Sequence, residues 1–285
     1  MDEKEAVSFV KEVLSISDVE RKLSENKYEL LCEIVKEFHE KIPFQNYSLI
    51  AVPSAERSQP TIDEIIREVR SGRGGLCYSL NVFMKLLLEA LDYTVHHVLS
   101  AVSNLPDNHL ITIASNVRDH GDKYLIEVGT GFPTFKPIPI DFDQESPVYD
   151  ESFIKYKLKW VSKNRLEREM MFQVPGSEWK LFYSWETARK KLEEMDAAMT
   201  SVYTDPKITP FHTSLRAVRF VHGKAVCIRD MTLLMEDNSH ILQEKKLSTE
   251  LEFLDAVGEH FPLLVEAAKK ALKNWTPSKE PEIGV

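Results

Sequence analysis

Arg73-Gly74-Gly75-Leu76-Cys77 stands directly ahead of Tyr78-Ser79-Leu80-Asn81-Val82-Phe83, where a run of glycine gives way to an apolar stripe. Leu80, Phe83, Leu86, Leu87, Ala90 and Leu91 recur three and four apart, which predicts an amphipathic helix that starts at the cysteine. Six of the ten glycines fall between residues 72 and 131, so tight turns and close backbone approaches concentrate here. A cysteine at a helix start has its thiolate stabilised by free N–H groups and by the helix dipole. A small buried hydrophobe is the commoner role of a free cysteine, and position alone does not choose between the two.

Upstream of this stretch the chain reads as helical. Leu30, Leu31, Ile34, Val35 and Phe38 predict a helix over about 26–40, and Pro60-Thr61 with Glu64 makes a capping-box start for one near 61–70. Downstream, from Tyr93, the period changes to two. Residues 94–102, 108–115 and 123–128 are rich in Val, Ile, Thr and Tyr and predict strands, with turns at Asn104–Asp107 and at Gly121-Asp122. Further strands are expected at 153–161, 167–174, 179–184, 214–221 and 224–233, and helices at 185–200 and 249–273. The tail 276–285, with two prolines and mixed charge, is expected to be loose.

His109 begins one of these strands and Glu127 ends the next. A hairpin folded near residues 118–119 places them opposite or one diagonal step apart, on the same face. A carboxylate can there fix one imidazole tautomer while the other ring nitrogen faces a thiol. Spacing alone favours a core histidine and a solvent-facing glutamate. Only the conjunction with a helix-capped cysteine makes Cys77, His109 and Glu127 a candidate catalytic set.

Bulk composition narrows the alternatives. The 285 residues are 43% hydrophobic and 28% charged, ordinary globular values, with enough chain for one large domain or two to three tightly joined ones. The net charge of −9 argues against a general nucleic-acid binder. A local basic cluster, Lys155, Lys157, Lys159, Lys163, Arg165 and Arg168, is read as a solvated face ahead of an anion contact. No apolar run approaches the ~20 residues that span a bilayer. Cys32, Cys77 and Cys227 lie far apart without CxxC pairing, so neither a disulfide framework nor a metal site is indicated, and a cytoplasmic location is expected.

Taken together these segments resemble the arylamine N-acetyltransferase family. Arg73-Gly74-Gly75-Leu76-Cys77 with Asn81 is similar to its nucleophile motif, and His39 with Ile42-Pro43-Phe44-Gln45-Asn46 to its upstream helix-end motif. Asn108-His109-Leu110 resembles its histidine strand, and Glu127-Val128-Gly129-Thr130-Gly131 with Pro137 the segment of its third triad member. Leu181-Phe182-Tyr183-Ser184, Tyr203 and Pro206 through Phe211 fit its approach to a third domain. The resemblance implies an α+β fold with a cysteine-protease/transglutaminase-like core: an N-terminal helical bundle (1–92), a central β-barrel-like domain (93–184) and a C-terminal α/β lid (185–275). It implies acetyl-CoA as co-substrate, no metal, and a small arylamine or hydrazine acceptor, with no nucleic acid or membrane partner. The acetyl group would pass through a Cys77 thioester. Gly129, Thr130 and Gly131 would contact the cofactor, and Phe44, Thr130 and Phe211 would line the substrate pocket.

Four positions depart from the family pattern. Glu127 replaces the usual aspartate, and Thr130 a phenylalanine, which should widen or wet the acceptor pocket. Gln45 replaces a glutamate, reducing an expected charge pair with Arg73 to a neutral hydrogen bond, and Ser79 replaces another glutamate. Two alternatives stay open beside the acetyltransferase: a related acyltransferase or thioester hydrolase with another acyl donor or acceptor, and a weakly catalytic homologue that binds CoA or aromatics.

Overall fold

The computed structural model describes residues 1–102 and 105–277. Its N-terminal part is built of helices α1 (Glu3–Ser8, running into a π turn at Phe9–Val13), α2 (Val19–Glu25) and α3 (Lys27–Lys41). Asn26 caps α3 by accepting from the Glu29 N–H, and Leu30, Leu31, Ile34, Val35 and Phe38 are all buried, as their spacing predicts. A two-residue strand, β1 (Phe44–Gln45), and a short helix, α4 (Tyr47–Ile50), follow. Helix α5 (Ile62–Arg70) starts with the Thr61–Glu64 capping box, and α6 (Cys77–Ala90) starts at the cysteine. Leu80, Phe83 and Leu87 of α6 join Phe9, Phe38 and Ile34 in one core.

Eight strands form the next layer: β2 (Thr94–Val102), β3 (Leu105–Ser115), β4 (Lys123–Ile126), β5 (Ile138–Pro139), β6 (Tyr149–Glu151), β7 (Ile154–Ser162), β8 (Arg165–Phe172) and β9 (Lys180–Glu186). They pair antiparallel in the order β5-β4-β3-β2-β9-β8-β7-β6. One face of β2 and β3 packs on α6, which brings the helix start beside the strand ends. After α7 (Asp196–Thr204) come β10 (Arg216–Val221), β11 (Lys224–Arg229), β12 (Thr232–Glu236) and β13 (Leu242–Lys246). With β1 they make a second antiparallel sheet, β1-β10-β11-β12-β13. Helices α8 (Glu250–His260) and α9 (Val265–Asn274) bury Phe253, Val257, Ala268 and Ala271 against Ala217 and Ile228 of that sheet and Leu215 just ahead of β10. The architecture is the α+β fold expected.

Several elements differ from their expected extents. The helix expected over 185–200 begins only at Asp196; the chain stays extended as far as Lys190, whose N–H donates to His97 O at 3.0 Å, and then makes a 3-10 turn at Leu192–Glu194. Residues 187–191, Thr-Ala-Arg-Lys-Lys, offer no apolar stripe to bury, so extension beside β2 wins. The strand expected at 224–233 is two, β11 and β12, because Asp230 turns the chain at φ 50° and its carboxylate accepts from Leu215 N at 2.8 Å. The helix expected at 249–273 breaks at Pro262, which lacks the N–H that would continue it. Strand β13 went unpredicted: Leu242-Gln243-Glu244-Lys245-Lys246 is a mostly exposed, charged edge without alternation. Strand β3 starts at Leu105, inside the expected turn, whose Asn104 lies outside the described residues, as do residues 278–285 of the tail.

Candidate active site

The cysteine loop is held from both sides. Gln45 N donates to Gly75 O at 3.0 Å and Gly75 N to Pro43 O at 3.3 Å, so the glycines ride against the end of α3. Gly74 has φ +68°, and a Cβ there would sit 1.9 Å from Pro43 O, a contact only glycine avoids. Asn46 extends the tie to the second sheet: its Nδ2 donates to Phe211 O at 2.9 Å and Ser214 O at 2.6 Å, and its Oδ1 accepts from Arg216 N at 2.7 Å. Residues 43–46 therefore fix the nucleophile loop to both the helices and the second sheet.

Arg73 is not paired as expected. Its guanidinium grips Glu68 at 2.6 and 3.0 Å, whereas Gln45 bonds Ser48 at 2.9 and 3.0 Å. The negative charge missing at Gln45 is supplied from the last turn of α5. Ser79 Oγ lies 3.4 Å from the Tyr203 hydroxyl, so this position too carries a neutral contact.

Cys77 is the first residue of α6 and only 4% exposed. The β3–β4 register pairs Thr112 with Ile126, which sets His109 and Glu127 one diagonal step apart, with Glu127 just past the last paired residue of β4. His109 Nε2 lies 2.7 Å from Glu127 Oε2, and the imidazole is also hydrogen-bonded to the Cys77 thiol. All three side chains are buried. Burial pushes His109 toward its neutral form, but the Glu127 charge and the bonds to Cys77 and Glu127 outweigh it, raising its pKa to about 10. For Glu127, burial opposes ionisation, yet the His109 charge and the hydrogen bonds from His109, Gly129 N and Asn81 hold its pKa below the ordinary carboxylate value.

Two further contacts set the carboxylate and a third its backbone. Glu127 Oε1 accepts from Gly129 N at 2.9 Å and from Asn81 Nδ2 at 3.2 Å. Asn81 sits one turn beyond Cys77 and also donates to Leu110 O at 2.9 Å. From α3, His39 Nε2 donates to the backbone carbonyl of Glu127 at 3.1 Å. Roles for Asn81 and His39 were not assigned from the sequence, although both stand in the quoted motifs.

A cavity of about 420 Å³ opens over Cys77 and His109. Phe44, Thr130, Phe132, Phe182 and Phe211 wall it with Arg216, and the Phe44 and Phe211 rings meet edge to face at 5.5 Å. Gly129 and Thr130 reach its surface. Gly131 does not line it but backs onto the Phe44 ring, where a Cβ would lie 3.1 Å away. The Thr130 hydroxyl accepts from Phe132 N at 3.3 Å and so stays in its own turn. Cys32 and Cys227 lie on α3 and β11, away from this cavity.

Arg168 corrects the reading of the basic cluster. It is fully buried, while Lys157 sits among the carboxylates of Glu145 and Glu169. Leu166, Arg168 and Met170 share the buried face of β8 by simple alternation, a signal present in the sequence. Among the described residues no helix is long and apolar enough to cross a membrane.

A family model described as N-acetyltransferase matches residues 27–270. The chain is 24% identical over 237 residues to an arylamine N-acetyltransferase of Mycolicibacterium smegmatis, covering 80% of this chain and 82% of that one. The fold superposes with a TM-score of 0.77 on the Mycobacterium marinum arylamine N-acetyltransferase solved in complex with CoA, at 17% identity and with 94% and 99% of the two chains covered. An arylamine N-acetyltransferase of Bacillus cereus, described as having a unique Cys-His-Glu catalytic triad, superposes with a TM-score of 0.71 at 19% identity, with 90% and 97% covered. With the model spanning most of its length, the chain belongs to the arylamine N-acetyltransferase family.

Proposed function

We propose that this enzyme transfers the acetyl group of acetyl-CoA to arylamines or arylhydrazines through a covalent Cys77 thioester. The observation that carries this reading is the hydrogen-bonded line Cys77–His109–Glu127 at the base of the cavity. In the first half-reaction His109 takes the thiol proton and Cys77 Sγ attacks the acetyl carbonyl. The bond from that carbon to the CoA sulfur breaks, and the departing thiolate takes the proton from His109. In the second, the acceptor nitrogen attacks the Cys77 thioester, the C–Sγ bond breaks, and the amine proton passes by way of His109 to the sulfur. Thioester exchange is nearly isoenergetic, so a ready thiolate matters more than a strong acid. N–H groups in the first turn of α6 are placed to stabilise the tetrahedral oxyanion.

Gly129 and Thr130 line the path of the acyl-CoA chain, with Gly131 setting their turn, and Phe44, Thr130 and Phe211 hold the acceptor ring. The functional units are 1–92, 93–184 and 185–275, the first supplying the nucleophile, the second His109 and Glu127, and the third the lid. A screen of acyl-CoA donors against amine acceptors on purified protein tests the reading. Intact mass should rise by one acetyl group with acetyl-CoA alone and fall back on adding an arylamine, and Cys77→Ala should do neither. Rapid acetyl-CoA hydrolysis without any amine would replace the transferase reading with a hydrolase.

A further inference from the structure

Outside the lining of the cavity, and beside residues of the site, lies a second fully buried ion, Arg168. Arg168 Nη1 donates to Thr134 Oγ1 at 2.8 Å and Nη2 to Pro133 O at 3.0 Å, and its Cζ stacks 4.0 Å from the centre of the Tyr156 ring. Phe182 and Tyr183 complete the enclosure at 5.9 and 5.8 Å. Tyr183 is shared with the site, its ring 5.7 Å from that of His109. Among the described residues Arg168 makes no direct ion pair, and its Nε has no hydrogen-bond partner. Burial opposes its charge, which the neighbouring Tyr183 and Tyr156 and, after them, the Glu127 carboxylate favour. The guanidinium also grips the segment that leaves Glu127, at residues 133 and 134.

We propose that Arg168 is a positioning residue that balances the charge of Glu127, so that His109 is free to give up its proton once Cys77 is acetylated. This rests on the thioester mechanism above. Once His109 has taken the Cys77 proton the buried charges alternate: sulfur anion, His109 imidazolium, Glu127 carboxylate, Arg168 guanidinium. Acetylation removes the thiolate charge. With Arg168 present, a neutral His109 leaves Glu127 and Arg168 cancelling each other, and the imidazole is ready to accept the amine proton. Without Arg168 the buried Glu127 has only His109 as counter-charge, and the imidazole is held protonated. The other groups facing His109 and Glu127 are uncharged in this state: Tyr183 from β9, and His39 from α3, whose pKa burial depresses to about 4. Arg216 reaches the cavity wall from β10 and is the same in all variants.

The test separates the half-reactions by rapid mixing and quench. Arg168→Gln, which keeps a donor toward Thr134, and Arg168→Met, which fills the same space, both remove the charge, and either one suffices if folded. Each should still form acetyl-Cys77, but the pH at which aminolysis reaches half its plateau should move up by about one unit or more, slowing it about tenfold at pH values below both midpoints. Arg168→Lys should return that midpoint to the wild-type value even if its melting temperature stays low, because charge is restored without the planar fork. An unmoved midpoint in a folded neutral variant overturns the proposal. If wild-type protein forms no acetyl-Cys77, the underlying mechanism fails instead.

Discussion

Gly129 donates its N–H to the side chain of Glu127, two residues back, at 2.9 Å. That bond turns the carboxylate so that Oε1 is held by backbone and Asn81 while Oε2 is left for His109. The same glycine lies against the start of α6. A Cβ on it would fall 2.3 Å from Asn81 Nδ2 and 2.9 Å from Cys77 Cα. Gly129→Ala should therefore push the strand end off the helix. Overpacking of this kind costs about 1–3 kcal/mol, and misplacement by about an ångström costs about 100-fold in rate. Thermal unfolding and kcat/KM together check it: wild-type values for both would show that the close approach is dispensable.

Thiol labelling should be selective. Burial pushes Cys227 up to about 12 and also raises Cys32, so both stay protonated near neutral pH, whereas Cys77 is bonded to His109 at the foot of an open cavity. Substoichiometric iodoacetamide should label Cys77 first and abolish activity in proportion. Peptide mapping that finds the first label on Cys32 or Cys227 would sink this.

Much of this site was legible because its parts obey short-range rules. The capped start of α5, the stripe of α6 and the alternation of β2 and β3 are local patterns, and the hairpin centre narrows residue 127 to the place opposite His109 or one diagonal step away, the second being the one the register takes. What stayed hidden depends on distant partners. The Glu68 that answers Arg73 looks like any surface helix residue. Arg168 does alternate with Leu166 and Met170, but charge normally means exposure, and only the Tyr156 ring and the Thr134 turn make an interior place for it. The two-residue β1 was unreadable, since its pairing with β10 is made by residues 218 and 217, far along the chain.

Two buried histidines set an acid limit on stability. Burial lowers His39 to about 4 and His97 to about 3, so both are neutral in the folded protein. The unfolded chain takes up their protons below about pH 6.5. Their depressed values therefore stabilise the fold above that pH, and the contribution is lost as pH falls toward 4. Each should cost about 1.4 kcal/mol per pH unit in that window. Denaturant unfolding at several values between pH 6.5 and 5 should show His97→Gln with a slope shallower by about one proton. An unchanged slope would mean that His97 is charged in the folded state.

Thr130 should set acceptor size. It lines the cavity beside Phe44 and Phe211, and its hydroxyl stays bonded to Phe132 N rather than filling the space. Thr130→Phe should exclude two-ring amines while sparing one-ring ones. A selectivity change of about 10–100-fold in kcat/KM is the scale a filled hydrophobic pocket gives. Equal changes for aniline-sized and naphthylamine-sized acceptors would place the ring elsewhere.

Glu127 is the most discriminating position. Its Oε2 meets His109 at 2.7 Å while Oε1 is fixed by Gly129 N and Asn81, and His39 holds its backbone carbonyl at 3.1 Å. The carboxylate contacts are matched to the longer side chain, while the His39 bond holds the backbone whatever the side chain. Glu127→Gln keeps the shape but not the charge. An amide cannot stabilise the imidazolium and can select the wrong tautomer, so acetyl-enzyme formation should fall by about 10³–10⁴-fold. Glu127→Asp keeps the charge but withdraws the carboxylate by about a C–C bond, ~1.5 Å. It must then give up either the Gly129–Asn81 anchor or His109, and a loss of about 100-fold is expected. The two variants should also part in their proton chemistry. Aspartate still favours a protonated His109, whereas glutamine removes the charge that raises its pKa toward 10, so only Glu127→Gln should show His109 titrating near or below its ordinary range by NMR. Near-wild-type acetylation by Glu127→Gln would remove Glu127 from the catalytic line. A rate equal to or above wild type in Glu127→Asp would mean that the scaffold is still shaped for the shorter carboxylate.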